Sequence, residues 1–200
     1  MPERILPLAS LGLRPLDDDA DGVRVACVHA ARHLVHRGAR RVGLLPAAPE
    51  VAVMPVGVRL AMALAGLGAQ QVAFLDANPR WPALPPEELR DAPSEKLGDY
   101  AVRWLAPRCA LLTASGAGEA GAGVVLLERF VRSGAGDFAQ VIIDLTGFRE
   151  LGEHLTAIRS LDGVLVVARS RATHELDLLK LNHALPPERN LGVLLVGGNA

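Results

Sequence analysis

Short apolar runs alternate with helix-like segments along most of this 200-residue chain. Each run is five or six residues long and almost wholly apolar, which is typical of strands buried on both faces. Strands of this kind, separated by helices, build a mostly parallel sheet with a helical layer on each side. The predicted strands are Arg41–Leu45, Gln71–Leu75 ending at Asp76, Cys109–Thr113, Gln140–Asp144, Gly163–Ala168 and Gly192–Val196.

The predicted helices complete a three-layer α/β/α domain. Asp21 is placed to cap the first helix and Gly38 to end it. Residues 1–20 contain Pro and Asp without clear periodicity, so we predict an extended N-terminal arm over 1–20 and one domain over 21–200. The predicted helices are Gly22–Arg37, Pro55–Leu67, a polar helix near Glu87–Leu97, Val124–Ser133, Phe148–Ser160 and Thr173–Ala184.

Composition argues against several classes of function. The formal net charge of −1 gives no general attraction to nucleic acid or to anionic membranes. No apolar run approaches the roughly 18–20 residues that span a bilayer, and the first residues lack the features of a secretory signal. Cys27 and Cys109 form no close pair, which is typical of free thiols in a reducing compartment. We therefore expect a cytoplasmic protein with no membrane span, metal site or nucleic-acid partner.

The segment Pro46–Pro55 joins the first predicted strand to the next helix, where nucleotide-binding α/β proteins place their phosphate loop. Such a loop needs glycines that let backbone N–H groups approach phosphate, a lysine, and a Ser or Thr for Mg²⁺. Pro46–Pro55 contains no Gly, Lys, Ser or Thr. Asp76 and Asp144, in contrast, end two predicted strands. These carboxylates fit either hydrogen bonds to nearby backbone or a residual site for Mg²⁺ or nucleotide.

Four segments in order resemble the bacterial tyrosine kinase and ParA/MinD branch of P-loop ATPases, in particular the kinase domains attached to polysaccharide export and chain-length-control proteins. Val72–Pro82 resembles that family's second acidic motif, in which a strand ends in Asp-Ala-Asp and Arg-Pro follows. Gln140–Asp144 is similar to its Walker B strand, and Asp162–Arg169 and Leu191–Val196 resemble later core strands. The resemblance extends over about residues 23–196 and implies a P-loop NTPase-like fold.

The same resemblance implies a degenerate phosphate loop. Ala52, Val53 and Met54 stand at the family's Gly-Lys-Ser/Thr positions, and Glu50 stands at a glycine position. A valine has no charge to neutralise phosphate, and a methionine offers no hydroxyl to Mg²⁺. Glu50 would repel phosphate and could itself supply the anion that the start of the following helix favours.

The acidic positions of the family are kept only in part. Asp76 matches an aspartate that helps to order Mg²⁺ and water, Asn78 replaces a second aspartate, and Asp144 matches the Walker B aspartate. Val196 stands where the family usually has an adenine-reading Asn. The resemblance therefore implies a vestigial site that holds no cofactor and consists of Glu50, Val53, Met54, Asp76, Asp144 and Val196.

By this resemblance, the chain is expected to be a catalytically inactive pseudokinase or pseudo-ATPase that acts as a binding or scaffold partner. The expected setting is bacterial exopolysaccharide or capsule synthesis and export. Expected partners are a membrane polysaccharide export or chain-length protein, which would hold the chain at the inner membrane from the cytoplasm, and further copies of the chain. The family's kinases carry a C-terminal tyrosine cluster, whereas Tyr100 is the one tyrosine here, so autokinase activity is not expected.

Two other functions stay open at this point. One is a divergent active ATPase or tyrosine kinase that holds phosphates with Arg59 or Arg80. The other is a ParA/MinD-like positioning or regulatory protein. Among the remaining patterns, His29, His33 and His36 recur at helical spacing, which fits a solvated basic face better than a metal site because no carboxylate joins them.

Overall fold

The computed structural model describes residues 5–13, 21–84, 89, 92–114 and 122–197. Residues 115–121 of the glycine-rich stretch Ser115–Gly123, for which the sequence predicts a loop, lie outside these ranges, as do most of the predicted arm and part of the polar segment after residue 84. The strands are β1 (Arg41–Pro46), β2 (Val72–Asp76), β3 (Glu95–Leu97), β4 (Tyr100–Ala106), β5 (Cys109–Ala114), β6 (Gln140–Asp144), β7 (Gly163–Arg169) and β8 (Asn190–Val196). The helices are α1 (Asp21–Arg37), α2 (Met54–Leu67), α3 (Ala122–Ser133), α4 (Thr146–Glu150), α5 (His154–Ile158) and α6 (Glu175–Ala184).

All eight strands belong to one sheet in the order β3-β4-β5-β2-β6-β1-β7-β8. The six strands from β5 to β8 in this order are parallel, while β4 is antiparallel to both β3 and β5. The central strands β1, β2, β6 and β7 are buried almost throughout, because helices cover both faces of the sheet. The predicted mostly parallel α/β fold is confirmed.

Two apolar cores lie on opposite faces of the sheet. On one face, α1 and α2 pack against the sheet with Leu34, Leu60 and Phe74 fully buried. On the other face, α3 to α6 surround a second core that contains Leu127 and Phe148. The molecule therefore has the predicted three layers. None of the helices in the described ranges combines the length and apolar character that crossing a bilayer requires.

The prediction of a polar helix near Glu87–Leu97 is wrong for the part of this segment that the structure describes. Glu95–Leu97 is strand β3, which pairs antiparallel with β4 through the register Leu97↔Tyr100. Gly98 has a φ of 58°, a left-handed conformation that suits the tight turn between two hairpin strands. Strand β4 was not predicted, since its mixture of buried and half-buried residues hides the strand period.

The helix predicted over Phe148–Ser160 is also wrong as one element, because the structure has two short helices there, α4 and α5. Gly152 separates them with a φ of 71°, a conformation outside the right-handed helical region. The predicted arm is extended only in part of its described residues. Ile5 bridges to Trp104, and Leu8–Leu11 forms a 3₁₀ turn that leads into the core through the buried Leu11.

Candidate functional site at the carboxyl edge of the sheet

The carboxyl ends of β1, β2 and β6 bring together three of the features that the sequence singled out. Strand β6 lies between the other two, with Leu44 of β1 and Asp76 of β2 both in register with Asp144. The loop over residues 47–53, which follows β1, therefore starts beside the two aspartates. In open parallel sheets, ligands bind at this edge, near the point where the strand order reverses.

From Glu50 to Val53 the side chains of this loop alternate between solvent and the core. Val51 is 3% exposed and Val53 is 2% exposed, and both belong to the core beneath α1 and α2. Met54 packs against the same core and is half-buried. Glu50 and Ala52 face solvent. The side chain of Val53, which the resemblance places at the family's lysine position, thus points into the apolar interior and away from any ligand above the loop.

Two backbone donors of the loop are used within the protein. The N–H of Ala47 donates to the carbonyl of Val167 at 2.8 Å, and the N–H of Val51 donates to Ala48 at 3.0 Å. Pro49 and Pro55 have no N–H to offer. The N-cap residue of α2, Val53, makes no side-chain hydrogen bond to the start of this helix, and Glu50 faces solvent.

Asp76 is 3% exposed and accepts two hydrogen bonds at one oxygen. The N–H groups of Ala83 and Leu84 donate to its Oδ2 at 2.8 and 3.2 Å, which fixes the chain after the turn at residues 78–81. Burial and, to a smaller extent, the neighbouring charge of Asp144 together raise the pKa of Asp76 to about 7, against the opposing effect of these hydrogen bonds.

Asp144 is 3% exposed, and only one of its two carboxylate oxygens accepts a hydrogen bond in the described residues. The Thr146 N–H donates to its Oδ1 at 2.8 Å, whereas Oδ2 is buried without a hydrogen-bond partner in the described part of the chain. Burial raises the pKa of Asp144 above its usual range. No ion pair within the described ranges neutralises either aspartate, so the sheet edge holds two adjacent carboxyl groups that favour their protonated forms.

Asn78, which the resemblance places at the family's second acidic position, holds the turn that follows β2. It is 2% exposed, and its Oδ1 accepts from the N–H groups of Arg80 and Trp81 at 3.1 and 3.2 Å. Its side chain lies against Gly147 at the start of α4, where an added methyl group would lie 2.9 Å from the Asn78 Cβ and 2.6 Å from the Trp81 carbonyl oxygen. The turn at 78–81 is therefore closed by an amide and packed tightly against α4.

Three arginines are candidates for a positively charged side chain that could bind phosphate at this site. Arg59 donates to the Pro55 carbonyl at 3.1 Å and acts on the pKa of Cys27, which places it on the α1/α2 side of the sheet. Arg80 is exposed. Arg149, which the sequence analysis did not single out, donates from its guanidinium to the carbonyl of Pro46 at the end of β1. The sequence could have indicated Arg149, because it lies in the helix that directly follows Asp144 and β6 lies beside β1.

The remaining predicted residues lie apart from this edge. Val196 ends β8, which β7 separates from β1, and it packs partly against the α1/α2 core. His29, His33 and His36 are exposed on α1. No group of three His, Cys, Asp or Glu side chains in the described ranges is arranged to hold a metal ion. Cys27 and Cys109 are buried free thiols.

Several solved structures of other proteins share the fold of this chain. No protein-family profile matches the sequence, and no curated protein does. Among solved structures, the VpsO kinase domain is similar with a TM-score of 0.70 and 17% identity over 89% of this chain and 95% of that chain. The BceF tyrosine kinase domain has a TM-score of 0.65 and 21% identity over 98% of this chain and 84% of that chain.

The kinase domain of the Escherichia coli tyrosine kinase ETK is also similar, with a TM-score of 0.61 and 19% identity over 86% of this chain and 77% of that chain. Three bacterial kinase domains thus share the architecture of this chain, and the P-loop NTPase-like fold implied by the sequence resemblance is confirmed. At these identities the likeness concerns the fold, and the chemistry of the site has to be argued from its own residues.

Proposed function

We propose that this chain is a pseudokinase-like member of the P-loop fold that does not use nucleotide and serves as a binding or scaffold partner. The observation that carries the proposal is the burial of Val53, which is 2% exposed at the position of the phosphate-binding lysine. A protein that holds a triphosphate needs a cation and free backbone donors at this point. The loop offers apolar side chains to the core instead, so its residues do not fit a magnesium-bound triphosphate.

The burial of Tyr100 argues against tyrosine autokinase activity. Tyr100 is 2% exposed, lies in β4 and packs edge-to-face on Phe130 with a ring-centroid distance of 5.2 Å. Burial raises the pKa of its hydroxyl above the usual range, and the charge of Asp99 acts in the same direction. As the one tyrosine of this sequence, it is unreachable for a second kinase molecule without local unfolding.

The proposed setting follows from the resemblance to kinase domains of polysaccharide systems. In this proposal the chain lies in the cytoplasm and binds the cytoplasmic segment of a membrane protein for exopolysaccharide or capsule export or chain-length control. Assembly is independent of ATP because the fold presents its surface without a bound nucleotide. The fold likeness to the BceF and VpsO kinase domains supports this choice of partner class.

The proposal is tested by two assays on the same preparation. We expect neither ATP hydrolysis nor phosphotyrosine above the background of heat-denatured protein. We also expect the cytoplasmic segment of a polysaccharide chain-length protein to bind equally with and without ATP and Mg²⁺. Binding that requires ATP, or phosphotyrosine on either protein, contradicts the proposal.

A divergent ATPase is the second candidate function, because Asp144 keeps a buried, unpartnered Oδ2 in the described part of the chain. Arg149 also places a guanidinium at the end of β1. This candidate predicts measurable ATP hydrolysis that Asp144→Ala abolishes. Asp137→Ala is the matched control, since Asp137 is exposed and should leave the rate unchanged. Hydrolysis that survives Asp144→Ala argues for a contaminating enzyme.

A further inference from the structure

The two outermost strands of the sheet, β3 and β8, differ in length and charge. At one edge, β3 has three residues, and the side chains of Glu95 and Lys96 are exposed. Short length and charge are the usual protection of a sheet edge against pairing with another strand. At the other edge, β8 has seven residues, Asn190–Val196, with no charged residue and no proline. The pairing of β8 with β7 is irregular near Leu191, but from Val193 to Val196 neither charge nor proline protects this edge.

Strand β8 also offers apolar side chains to solvent. Val193 is 53% exposed and Leu195 is 56% exposed. Leu194 belongs to the core beneath α1 and α2, so its two neighbours point to the opposite face of the sheet. That face carries α6, on which Leu176 and Leu179 are 66% and 46% exposed.

One contact fixes how α6 lies beside β8. The side-chain amide of Asn190 donates to the Oδ1 of Asn182 at 2.6 Å. From this point, rises of about 1.5 Å per helical residue and about 3.3 Å per strand residue place Leu179 and Leu176 beside the stretch that leads to Val193. Leu179 is three residues before Asn182 and shares its side of the helix. We call Leu176, Leu179, Val193 and Leu195 the β8–α6 patch.

The backbone of β8 is available next to this patch. The carbonyl of Val196 accepts from the Ser170 N–H on the side of β7. Backbone groups of successive strand residues point to alternate sides, so those of Val193 and Leu195 point away from β7. No strand in the described ranges pairs on that side. An apolar patch therefore borders a row of free donors and acceptors, which is the chemistry that another β-strand satisfies.

We propose that the occupant is a second copy of this chain, joined through antiparallel pairing of the two β8 strands about a two-fold axis. Charge on α6 favours this choice over another extended peptide. Its first half carries Glu175 and Asp177, and its second half carries Lys180 and His183. Antiparallel packing of α6 on its own copy sets the acidic half against the basic half, as a self-complementary two-fold interface requires.

In this dimer the sheets of two copies become continuous, and the β8–α6 patches cover each other. Leu179 lies near the two-fold axis, and Glu175 of one copy faces His183 of the other. Neither contact involves the carboxyl edge of β1, β2 and β6. Formation of this dimer is therefore independent of nucleotide and of the proposed function.

Analytical ultracentrifugation of the 200-residue chain tests the interface. We expect a dimer at protein concentrations of about 10–100 μM, which corresponds to a moderately tight complex. Val193→Lys should raise the dimer Kd at least about 100-fold, since it places a charge at the paired edge. Val125→Lys is the matched control, because Val125 is 54% exposed on α3 and should leave the dimer intact. Leu195→Lys replaces Val193→Lys if circular dichroism shows that the latter is misfolded.

Two further variants test the two-fold arrangement itself. His183→Glu should weaken the dimer by facing Glu175 with a second acid, and adding Glu175→Lys should restore most of the loss. Because both native thiols are buried, a cysteine introduced by Leu179→Cys should crosslink two copies on mild oxidation, whereas Val125→Cys should not. A monomer at about 100 μM, or a dimer indifferent to both lysine variants in β8, overturns the proposal.

Discussion

Two carboxylate sites at opposite edges of the sheet are built differently. Asp162 lies just before β7 at the amino edge, and both of its oxygens are bonded. The N–H groups of Arg40 and Arg41 donate to Oδ2 at 2.9 and 2.8 Å, and the Arg41 guanidinium donates to Oδ1 at 3.3 Å. Partial burial acts to raise the pKa of Asp162, but these bonds and the charge of Arg41 outweigh it and lower the pKa.

Asp76 and Asp144 form the other site, at the carboxyl edge. They are more deeply buried, lie in register on adjacent strands, and leave one oxygen of Asp144 unbonded in the described residues. Their pKa values move up, in the direction opposite to that of Asp162. A carboxylate that serves only structure has partners for its charge, as Asp162 shows. In the proposed function, the pair at the carboxyl edge is what remains of a site whose loop carried a cation.

The largest expected effect comes from trying to restore that cation with Val53→Lys. Burying a lysine side chain in the α1/α2 core lowers its pKa by up to 3–5 units, which corresponds to about 4–6 kcal/mol of lost stability. Urea unfolding measures the loss. Ala52→Lys is the control because Ala52 is exposed, and its effect should stay within about 0.5 kcal/mol. A Val53→Lys variant as stable as wild type would mean that the loop is open to ligand.

The second effect is the pH dependence of stability from Asp76. Its pKa is raised from 3.8 to about 7, so the folded state binds more protons than the unfolded state between these values. The stabilisation is therefore complete below pH 3.8 and is lost as the pH rises through about 7, by at most about 4 kcal/mol. Urea unfolding from pH 4 to 8 should show this loss in wild type and a smaller loss in Asp76→Asn, in which the raised pKa of Asp144 still contributes.

A control for this window is Asp137→Asn, since Asp137 is exposed and its removal should leave the wild-type profile unchanged. If Asp76→Asn loses as much stability as wild type over the same pH range, Asp76 is not responsible. A loss that disappears when Mg²⁺ is added would instead indicate that the two carboxylates bind a cation.

The smallest effect should come from Asp162→Asn, with the opposite sign of pH dependence. Its pKa is lowered in the folded state, so its contribution is present above the unfolded value near 3.9 and is lost as the pH falls through the folded value. The substitution should cost about 1–3 kcal/mol at pH 7, the usual range for hydrogen bonds to a charged group. The difference from wild type should shrink below pH 4; a constant difference would assign it to packing.

The sequence predicted the central part of the fold because its strands are buried on both faces and read as continuous apolar runs. It failed where that signal is weak. Strand β4 mixes buried and half-buried residues, and the helix predicted over Phe148–Ser160 contains Gly152, whose left-handed φ breaks it. In the second region the conformation of one glycine decided the structure, and in both regions the apolar pattern carried little information about it.

The candidate site could be located from sequence but not characterised. The alternation of strands and helices indicates that Asp76, Asp144 and the loop after β1 share an edge. It does not indicate that Val53 points into the core, that one oxygen of Asp144 lacks a partner, or that Arg149 reaches Pro46. These features depend on side-chain direction and on contacts between residues about 100 positions apart, such as Arg149 and Pro46.

The central claim is that the carboxyl edge of the sheet no longer holds a nucleotide. Isothermal titration of the 200-residue chain with ATP and Mg²⁺ tests it most directly. We predict no binding heat attributable to a Kd below about 100 μM, which corresponds to a binding free energy weaker than about −5.5 kcal/mol. Saturable one-to-one binding of ATP with a Kd below about 100 μM that is lost in Asp144→Ala would contradict the account.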